Sequence, residues 1–349
     1  MSEHSAALED AVTAMLARYC TDARLAETAG TLDSTLWSVL SDAGLTRIAV
    51  PESLGGDGGT LDDIAVVLRC AGEYCAAVPL AESLLGNWLL TAAGLPIPDG
   101  IMTVGTGNLL ATPSNGGWDI AGALSRVAYG RGADVVAGLA GGPRGPVVFA
   151  AALERTTIRP GANLAGEPRD EIFVGSEAIL AAADVGAEVG TELTARARLA
   201  RALMLTGAAH SALTAAVDYA GQRRQFGRPI GTFQAVQQQM AWAAGESAAA
   251  RAATDTAVLR CRGGFGLVAR TSAALAKART AMAAGIVASV AHQIHGAIGI
   301  TAEHGLRHRT ARLWAWREEW SSDRRCCTEV AQSLGQVGAE SLWEKLVEL

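Results

Sequence analysis

The feature that most constrains the fold is a polar, basic turn between two long alanine-rich stretches. Residues Ala195–Ala220 contain no proline and one glycine, which predicts an unbroken helix. Gly227, Pro229 and Gly231 then end this helix and start the next, because glycine and proline interrupt helical backbone. Apolar residues recur at helical spacing from Phe233 onward. The sequence therefore predicts a helical hairpin with a basic turn.

The side chains of this turn could bind an anionic ligand. Arginine presents a planar fork of donors that matches phosphate oxygens, and phenylalanine rings offer flat apolar surfaces for an aromatic ligand. The turn holds both types, together with amide side chains: Arg223, Gln225, Phe226, Arg228, Phe233 and Gln234. A solvated corner of a helical bundle is the alternative interpretation of the same residues.

Composition excludes several classes of protein. The chain has 349 residues, of which 50% are hydrophobic, enough for two or three packed units. A net charge of −6 gives no reason to expect a nucleic-acid partner. The six cysteines form no C-x-x-C pair, which favours reduced thiols in the cytoplasm. We find no run of roughly 18 to 20 apolar residues and no signal-type N-terminus, so we expect no membrane partner.

Three regions differ in their pattern. Helical spacing extends from Leu8 to about Ala93, and Thr60 is predicted to cap a helix within it. Beyond Pro96 the chain becomes rich in valine, glycine and threonine, which indicates strands until about Gly186. The predicted strands are Ile101–Val104, Trp118–Ile120, Ala133–Ala137, Pro146–Ala151 and Glu171–Val174. We therefore predict a mainly α protein with a small β domain: a helical domain (1–95), a β domain (96–188) and a C-terminal four-helix bundle (189–349).

A second stretch with chemical potential runs from His292 to Leu306. Gly296 and Gly299 permit positive φ angles and a close approach of a ligand to the backbone. Four histidines (His292, His295, His304 and His308) have separations that a metal site could use, but no cysteine or carboxylate completes a ligand set. Capping or solvated histidines are the favoured interpretation. Two glycine-rich stretches do not fit a dinucleotide-binding loop: Gly105–Gly107 lacks the third glycine and a helix after it, and Gly263–Gly266 lacks a strand before it.

Several motifs together resemble the acyl-CoA dehydrogenase family. They are R-x-Q-F-G-x-P-I-x-x-F-Q-x-x-Q from Arg223, G-L-x-x-x-x-V-P-E-x-x-G-G from Gly44, W-x-x-x-G from Trp118, and a variant of Q-x-x-G-G-x-G from Gln293. The resemblance implies FAD as cofactor, held at its diphosphate and adenosine end by residues that reach across a subunit interface. Carried over, these are Arg223, Gln225, Phe226, Phe233, Gln234, Gln293, His295, Gly296, Ala297 and Gly299. Ala297 replaces the family's usual second glycine.

The family's catalytic base is missing where the resemblance places it. A dehydrogenase of this type needs a carboxylate to remove the α-proton of a thioester. The family's two positions for that glutamate fall at Trp320, counted from Glu303, and at Ala197, counted back from Arg223. Glu318 and Glu319 lie beside the first position, where surface pairing with Arg317 or Arg324 is the favoured role. The β domain also lacks the family's T-E-P-x-x-G-S-D loop, for which Ala111–Trp118 is a poor substitute.

The resemblance thus implies a cytoplasmic subunit of an FAD-dependent acyl-CoA dehydrogenase with no catalytic residue of its own. It would introduce an α,β double bond into a CoA thioester, including steroid side chains of the actinobacterial type. A second dehydrogenase chain, in an α2β2-type tetramer, would supply the base, and an electron-transfer flavoprotein-like acceptor would take the electrons. The alternatives are a self-sufficient homo-oligomer with Glu319 as base, a non-catalytic scaffold, and a flavin monooxygenase of the same fold.

Overall fold

The structure is a computed structural model that describes residues 3–114, 116–301 and 304–335, together with residues 341, 343 and 344. Its helices are α1 (Glu3–Tyr19), α2 (Asp22–Glu27), α3 (Ser34–Asp42), α4 (Leu61–Glu73), α5 (Leu80–Ala92), α6 (Glu188–Gln222), α7 (Gln234–Cys261), α8 (Leu267–His295), α9 (Leu306–Trp316) and α10 (Asp323–Gly335). Its strands are β1 (Met102–Ser114), β2 (Gly117–Ala128), β3 (Val135–Gly142), β4 (Gly145–Ala152), β5 (Thr157–Arg159), β6 (Arg169–Val174), β7 (Ile179–Asp184), β8 (Arg224–Gln225) and β9 (Arg228–Pro229). The protein is mainly α-helical with a small β domain, as predicted.

Two of the N-terminal helices, α3 and α4, begin at side-chain caps. Thr60 and Asp63 form a reciprocal pair at the start of α4, in which the Asp63 carboxylate accepts from the Thr60 N–H at 2.8 Å. The Thr60 hydroxyl in turn accepts from the Asp63 N–H at 3.3 Å. This reciprocal arrangement satisfies two N–H groups that the helix cannot bond internally. The predicted cap at Thr60 is confirmed, and Asp33 caps α3 through the Leu36 N–H in the same way.

The β domain is one seven-stranded sheet in the order β5-β6-β2-β1-β3-β4-β7. Only β1 and β3 pair in parallel, and all other neighbours are antiparallel. Each of the five predicted strands overlaps an observed strand, whereas β5 and β7 were not predicted. The core of the sheet is made of aliphatic residues of the central strands around Phe149, which is fully buried.

The C-terminal bundle is built around α8, which packs against α7, α9 and α10. Most of the buried residues of α8 are alanines. Small side chains allow helices to approach closely, and alanine also has the highest helix propensity. The helix α6 is continuous from Glu188 to Gln222, longer than the predicted Ala195–Ala220.

Contacts group the chain into two compact units. One contains Met1–Leu25, Ala65–Ala76 and Arg198–Leu349, and the other contains Ala26–Ile64 and Ala77–Ala197. The boundaries predicted near residues 95 and 188 remain a prediction about domains.

The segment Leu267–Ile300 is long and apolar enough, by length and composition alone, to cross a membrane. Half of its most apolar stretch is buried inside the protein, and core helices of globular proteins can have the same length and composition. All six cysteines are free thiols.

Candidate functional site

The basic turn between α6 and α7 is a small β-hairpin. Strands β8 and β9 pair antiparallel, and Phe226 and Gly227 form the two-residue turn between them. Both turn residues have left-handed φ angles, 51° and 81°, as a tight type I′ turn requires. Two backbone hydrogen bonds of 2.8 Å hold the base of this hairpin. The Arg223 N–H donates to the Tyr219 carbonyl at the end of α6, and the Ile230 N–H donates to the Arg223 carbonyl. The helical hairpin is confirmed, and its tip contains a short β-hairpin that the sequence did not predict.

The polar groups of this hairpin face solvent. Arg223, Gln225 and Gln234 are exposed, and the Phe226 side chain is 92% exposed. Phe226 lies edge-on to Phe233, with 6.1 Å between ring centroids. The Arg228 guanidinium lies 4.3 Å from the Phe233 ring centroid, so the aromatic face and the charge are held together.

The hairpin also carries positive charge that the rest of the described chain does not neutralise. Within the described residues, Arg223, Arg224 and Arg228 form no ion pair with a carboxylate. Most guanidinium groups elsewhere do have such a partner, for example Arg196 with Glu192 at 2.7 Å. Of these, Arg223 and Arg228 lie at positions of the matched motif, and their guanidinium groups together with an exposed aromatic pair suit a phosphate-bearing aromatic ligand.

The second stretch forms a glycine turn between α8 and α9. Gly296 ends α8 with φ 63° and ψ −142°, a conformation that is essentially restricted to glycine. Gln293, Gly296 and Ala297 are exposed. Ala297 is not among the residues with positive φ, so the alanine that replaces the family's second glycine is accommodated without backbone strain.

Gly299 and His295 have roles inside the protein. A Cβ at Gly299 would lie 2.9 Å from the His295 Cβ and 3.0 Å from a Leu306 methyl, so this glycine is required by packing. The His295 ring is 4% exposed and stacks on Tyr219, with 4.5 Å between centroids and 22° between planes. Because Tyr219 lies one helical turn before Arg223, this stack places the two predicted FAD-binding stretches next to each other.

The other histidines are held by hydrogen bonds and rings. The Nε2 atom of His292 lies 2.8 Å from the Thr310 hydroxyl, and its ring stacks on Trp314 at 5.4 Å. His304 caps the start of α9 by accepting the Leu306 N–H at 3.1 Å. Within the described residues, no group of three histidine, cysteine, aspartate or glutamate side chains could hold a metal ion.

Neither predicted base position carries a carboxylate. Ala197 is 1% exposed, and Trp320 has a left-handed φ of 56°. The backbone between Arg317 and Ser321 accepts hydrogen bonds from the buried side chain of Lys277. Lys277 donates to the Arg317 carbonyl at 2.6 Å and to the Ser321 carbonyl at 2.9 Å.

Glu319, the alternative base, is enclosed and paired. Its carboxylate lies 3.0 Å from the Arg201 guanidinium, and the two side chains are 8% and 3% exposed. Glu318 pairs with Arg317 at 3.3 Å, as predicted for a surface glutamate. Glu303, the residue from which the base position was counted, lies outside the described residues. The geometry of Glu319 therefore weighs against a role as proton acceptor.

The stretch Ala111–Trp118, compared above with the family's T-E-P-x-x-G-S-D loop, lies where β1 ends and β2 begins. Strand β1 runs without interruption from Met102 to Ser114, with a register shift between Gly105 and Leu110. Ser114, at the end of β1, pairs with Gly117, at the start of β2. The described residues of Ala111–Trp118 are therefore mostly strand, and they form no extended loop that could surround a ring system.

Comparison with known proteins agrees with these features. Residues 2–96 match the family described as "Acyl-CoA dehydrogenase, N-terminal domain", and residues 184–317 match "Acyl-CoA dehydrogenase, C-terminal domain". The chain is 31% identical to the acyl-CoA dehydrogenase IpdE2 of Mycobacterium tuberculosis over 279 residues, which cover 78% of each protein. It is 30% identical to IpdE2 of Mycolicibacterium smegmatis, over 88% of this chain and 91% of that protein.

Among solved structures, the ChsE4-ChsE5 complex of Mycobacterium tuberculosis contains a chain of closely similar fold. The TM-score is 0.89 at 25% identity, and the match covers 97% of this chain and 99% of that one. Sequence relatives and fold therefore lead to the same conclusion. The chain belongs to the acyl-CoA dehydrogenase family, whose members are FAD-dependent flavoproteins.

Proposed function

We propose that this chain is the subunit of a heteromeric acyl-CoA dehydrogenase that completes the FAD site of a base-bearing partner. The observation that carries the proposal is a contrast within one chain. Within the part of the chain that the structure describes, the exposed hairpin holds guanidinium groups without a carboxylate partner beside two phenylalanines, whereas both predicted base positions hold residues that cannot accept a proton. A chain that has residues suited to the cofactor but no carboxylate at either predicted base position fits an active site divided between two chains.

The residues of the hairpin suit the diphosphate and adenosine end of FAD. Arg223 and Arg228 would bind diphosphate oxygens, because charged fork-shaped donors make short, strong hydrogen bonds to phosphate. Gln225 and Gln234 would add neutral donors, and the Phe226–Phe233 pair would cover the adenine ring. The exposed Gln293, Gly296 and Ala297 would bring amide and backbone groups to the same nucleotide.

The chemistry would be α,β-desaturation of a CoA thioester. FAD, when bound, accepts the hydride that leaves the β-carbon while a carboxylate takes the α-proton. In this chain the segment near Trp320 is fixed by Lys277 and by Arg198, whose guanidinium donates to the Ser321 hydroxyl at 2.9 Å. This chain would therefore bind and orient the cofactor, and the proton would pass to a carboxylate of the partner chain.

The partner would be a second acyl-CoA dehydrogenase chain. Support comes from the similarity to a chain of the ChsE4-ChsE5 complex, whose name gives two different chains. An α2β2 arrangement, a cytoplasmic location, a steroid side-chain thioester and a flavoprotein electron acceptor remain parts of this proposal. The enclosed Glu319–Arg201 pair gives no support to a self-sufficient homo-oligomer.

Co-expression with candidate partner chains tests the proposal. The isolated chain should purify without flavin absorbance near 450 nm, and the complex should be yellow. Replacing Arg223 by alanine should weaken FAD binding by roughly 1.5 to 3 kcal/mol, as for a lost charged hydrogen bond.

Arg224→Ala is the matched control, since it removes the same charge from an adjacent exposed position outside the matched pattern. Full flavin occupancy of the isolated chain would reject the divided site. Equal losses in the two arginine variants would reject a specific contact from Arg223.

A further inference from the structure

Three aromatic rings connect the elements that carry the proposed nucleotide site. Tyr219 lies near the end of α6, His295 ends α8, and His304 precedes α9. The His295 ring stacks on Tyr219 at 4.5 Å, and the His304 ring meets His295 edge-on at 4.7 Å. His304 is also edge-on to Tyr219, with 6.4 Å between centroids. The three rings form one cluster between two turns that are about 70 residues apart in the sequence.

A hydrogen bond to a backbone carbonyl lies beside each of these two turns. The Tyr219 carbonyl accepts the N–H of Arg223 at 2.8 Å, which is the last helical bond before the basic hairpin. The Nδ1 atom of His295 lies 2.8 Å from the Ala291 carbonyl, an acceptor, so Nδ1 carries the proton. Gly296, with φ 63°, follows directly. Each residue of the stack therefore adjoins one of the two turns, Tyr219 through its carbonyl and His295 through the chain, so the stack couples the positions of the turns.

The surroundings of His295 disfavour the charged form of its imidazole. Burial lowers the pKa of His295, and the nearby His304, His292 and Arg309 lower it further, while the bond to Ala291 acts in the opposite direction. The His295 ring is almost completely covered by the protein, so its side chain is not a surface that a cofactor could contact. Any effect of this residue on cofactor binding has to pass through the turn that follows it.

We propose that Tyr219 and His295 are positioning residues that hold the Arg223 hairpin and the Gln293–Gly299 turn in one fixed arrangement, so that both meet the same FAD nucleotide. The inference rests on the proposed function and adds to it the residues that preorganise the site. Two turns that move independently must be ordered when the ligand binds, and this ordering lowers affinity without the loss of any direct contact.

FAD titration of the flavin-depleted complex with its partner chain, followed by flavin fluorescence, tests this role. Tyr219→Leu should raise the Kd for FAD about three- to tenfold, the range expected for one lost aromatic pair. Tyr219→Phe, which keeps the ring, should stay within about twofold of the wild type. The kcat of Tyr219→Leu at saturating FAD should be retained, because the change affects affinity and no reacting group.

His295, the other residue of the stack, gives an independent test. His295→Leu should raise the Kd for FAD by the same factor as Tyr219→Leu. The double variant should bind FAD no more weakly than either single variant, because one change already removes the stack. If Tyr219→Leu does not assemble with the partner, His295→Leu decides. Additive losses in the double variant, or an unchanged Kd in both leucine variants, would overturn the inference.

Arg223→Ala, measured in the same titration, separates the two proposals. If Arg223→Ala weakens FAD binding while the leucine variants do not, the positioning role is wrong and the proposed function stands. If Arg223→Ala has no effect, the proposed function itself is wrong.

Discussion

Replacing Lys277 by methionine tests how the segment around Trp320, one of the two predicted base positions, is held. Lys277 is fully buried, and its side chain donates to the carbonyls of Arg317 and Ser321. Methionine has a similar length and fills the same space, but it leaves both carbonyls without this donor. Two charged hydrogen bonds are worth about 3 to 6 kcal/mol.

The loss is partly offset because the methionine variant no longer buries a charge. Desolvation lowers the pKa of Lys277 from 10.5 to about 8. This difference corresponds to about 3 kcal/mol of penalty for the charged form at neutral pH. Subtracting this penalty, we expect the variant to be less stable than the wild type by up to about 3 kcal/mol at pH 7.

The pH dependence of this difference is the stricter test. Because the folded-state pKa of Lys277 lies below the unfolded-state value, the unfolded chain binds more protons between about pH 8 and 10.5. Wild-type stability should rise with pH across this window, and a neutral amine still has two N–H donors for the two carbonyls. The gap between wild type and K277M should widen by about 3 kcal/mol.

Urea unfolding at a series of pH values, followed by circular dichroism, measures this gap. The difference between the two proteins cancels the pH-dependent contributions of groups that both contain. One such group is Cys70, whose pKa is raised to about 11 by burial. A gap that stays constant between pH 7.5 and 10.5 would refute the reasoning, because it would mean that Lys277 is not desolvated in the folded state.

Three other perturbations have defined outcomes. Glu319→Gln should cost about 3 kcal/mol of stability by breaking an enclosed ion pair, with no change in flavin reduction by the complex; a large drop in that rate would make Glu319 the base. Gly207→Ala would overlap the Arg69 carbonyl and should cost about 2 to 3 kcal/mol in thermal unfolding, whereas Gly245→Ala, with open space around it, should be neutral or stabilising. Burial lowers the pKa of His308 to about 4, so stability should fall between pH 6.5 and 4, by about 1 to 2 kcal/mol after solvent screening, and His308→Asn should remove that fall.

Local sequence signals predicted most of the fold. The absence of proline between Ala195 and Ala220 and the cap at Thr60 correspond to continuous and properly started helices. The missed strand β7 has the sequence Ile-Leu-Ala-Ala-Ala-Asp, and alanine is a poor strand former, so its pairing with β4 depends on tertiary contacts. The three-residue strand β5 is too short to show a period.

The sequence was less informative about what surrounds the site. A phenylalanine at a left-handed φ, as at Phe226, has no local signature, because type I′ turns favour asparagine or glycine there. The pairing of Arg201 with Glu319 joins residues more than 100 positions apart. Lys277 stands in an alanine-rich helix, where a lysine is normally exposed. These contacts exist only once the bundle has formed.

The stoichiometry of FAD in the purified complex with its partner tests the divided site most directly. If this chain supplies only nucleotide contacts, absorbance at 450 nm should give one FAD for each pair of this chain and a base-bearing chain, and none for this chain alone. Two FAD molecules for each pair would show that this chain also holds a complete cofactor, and would contradict the account.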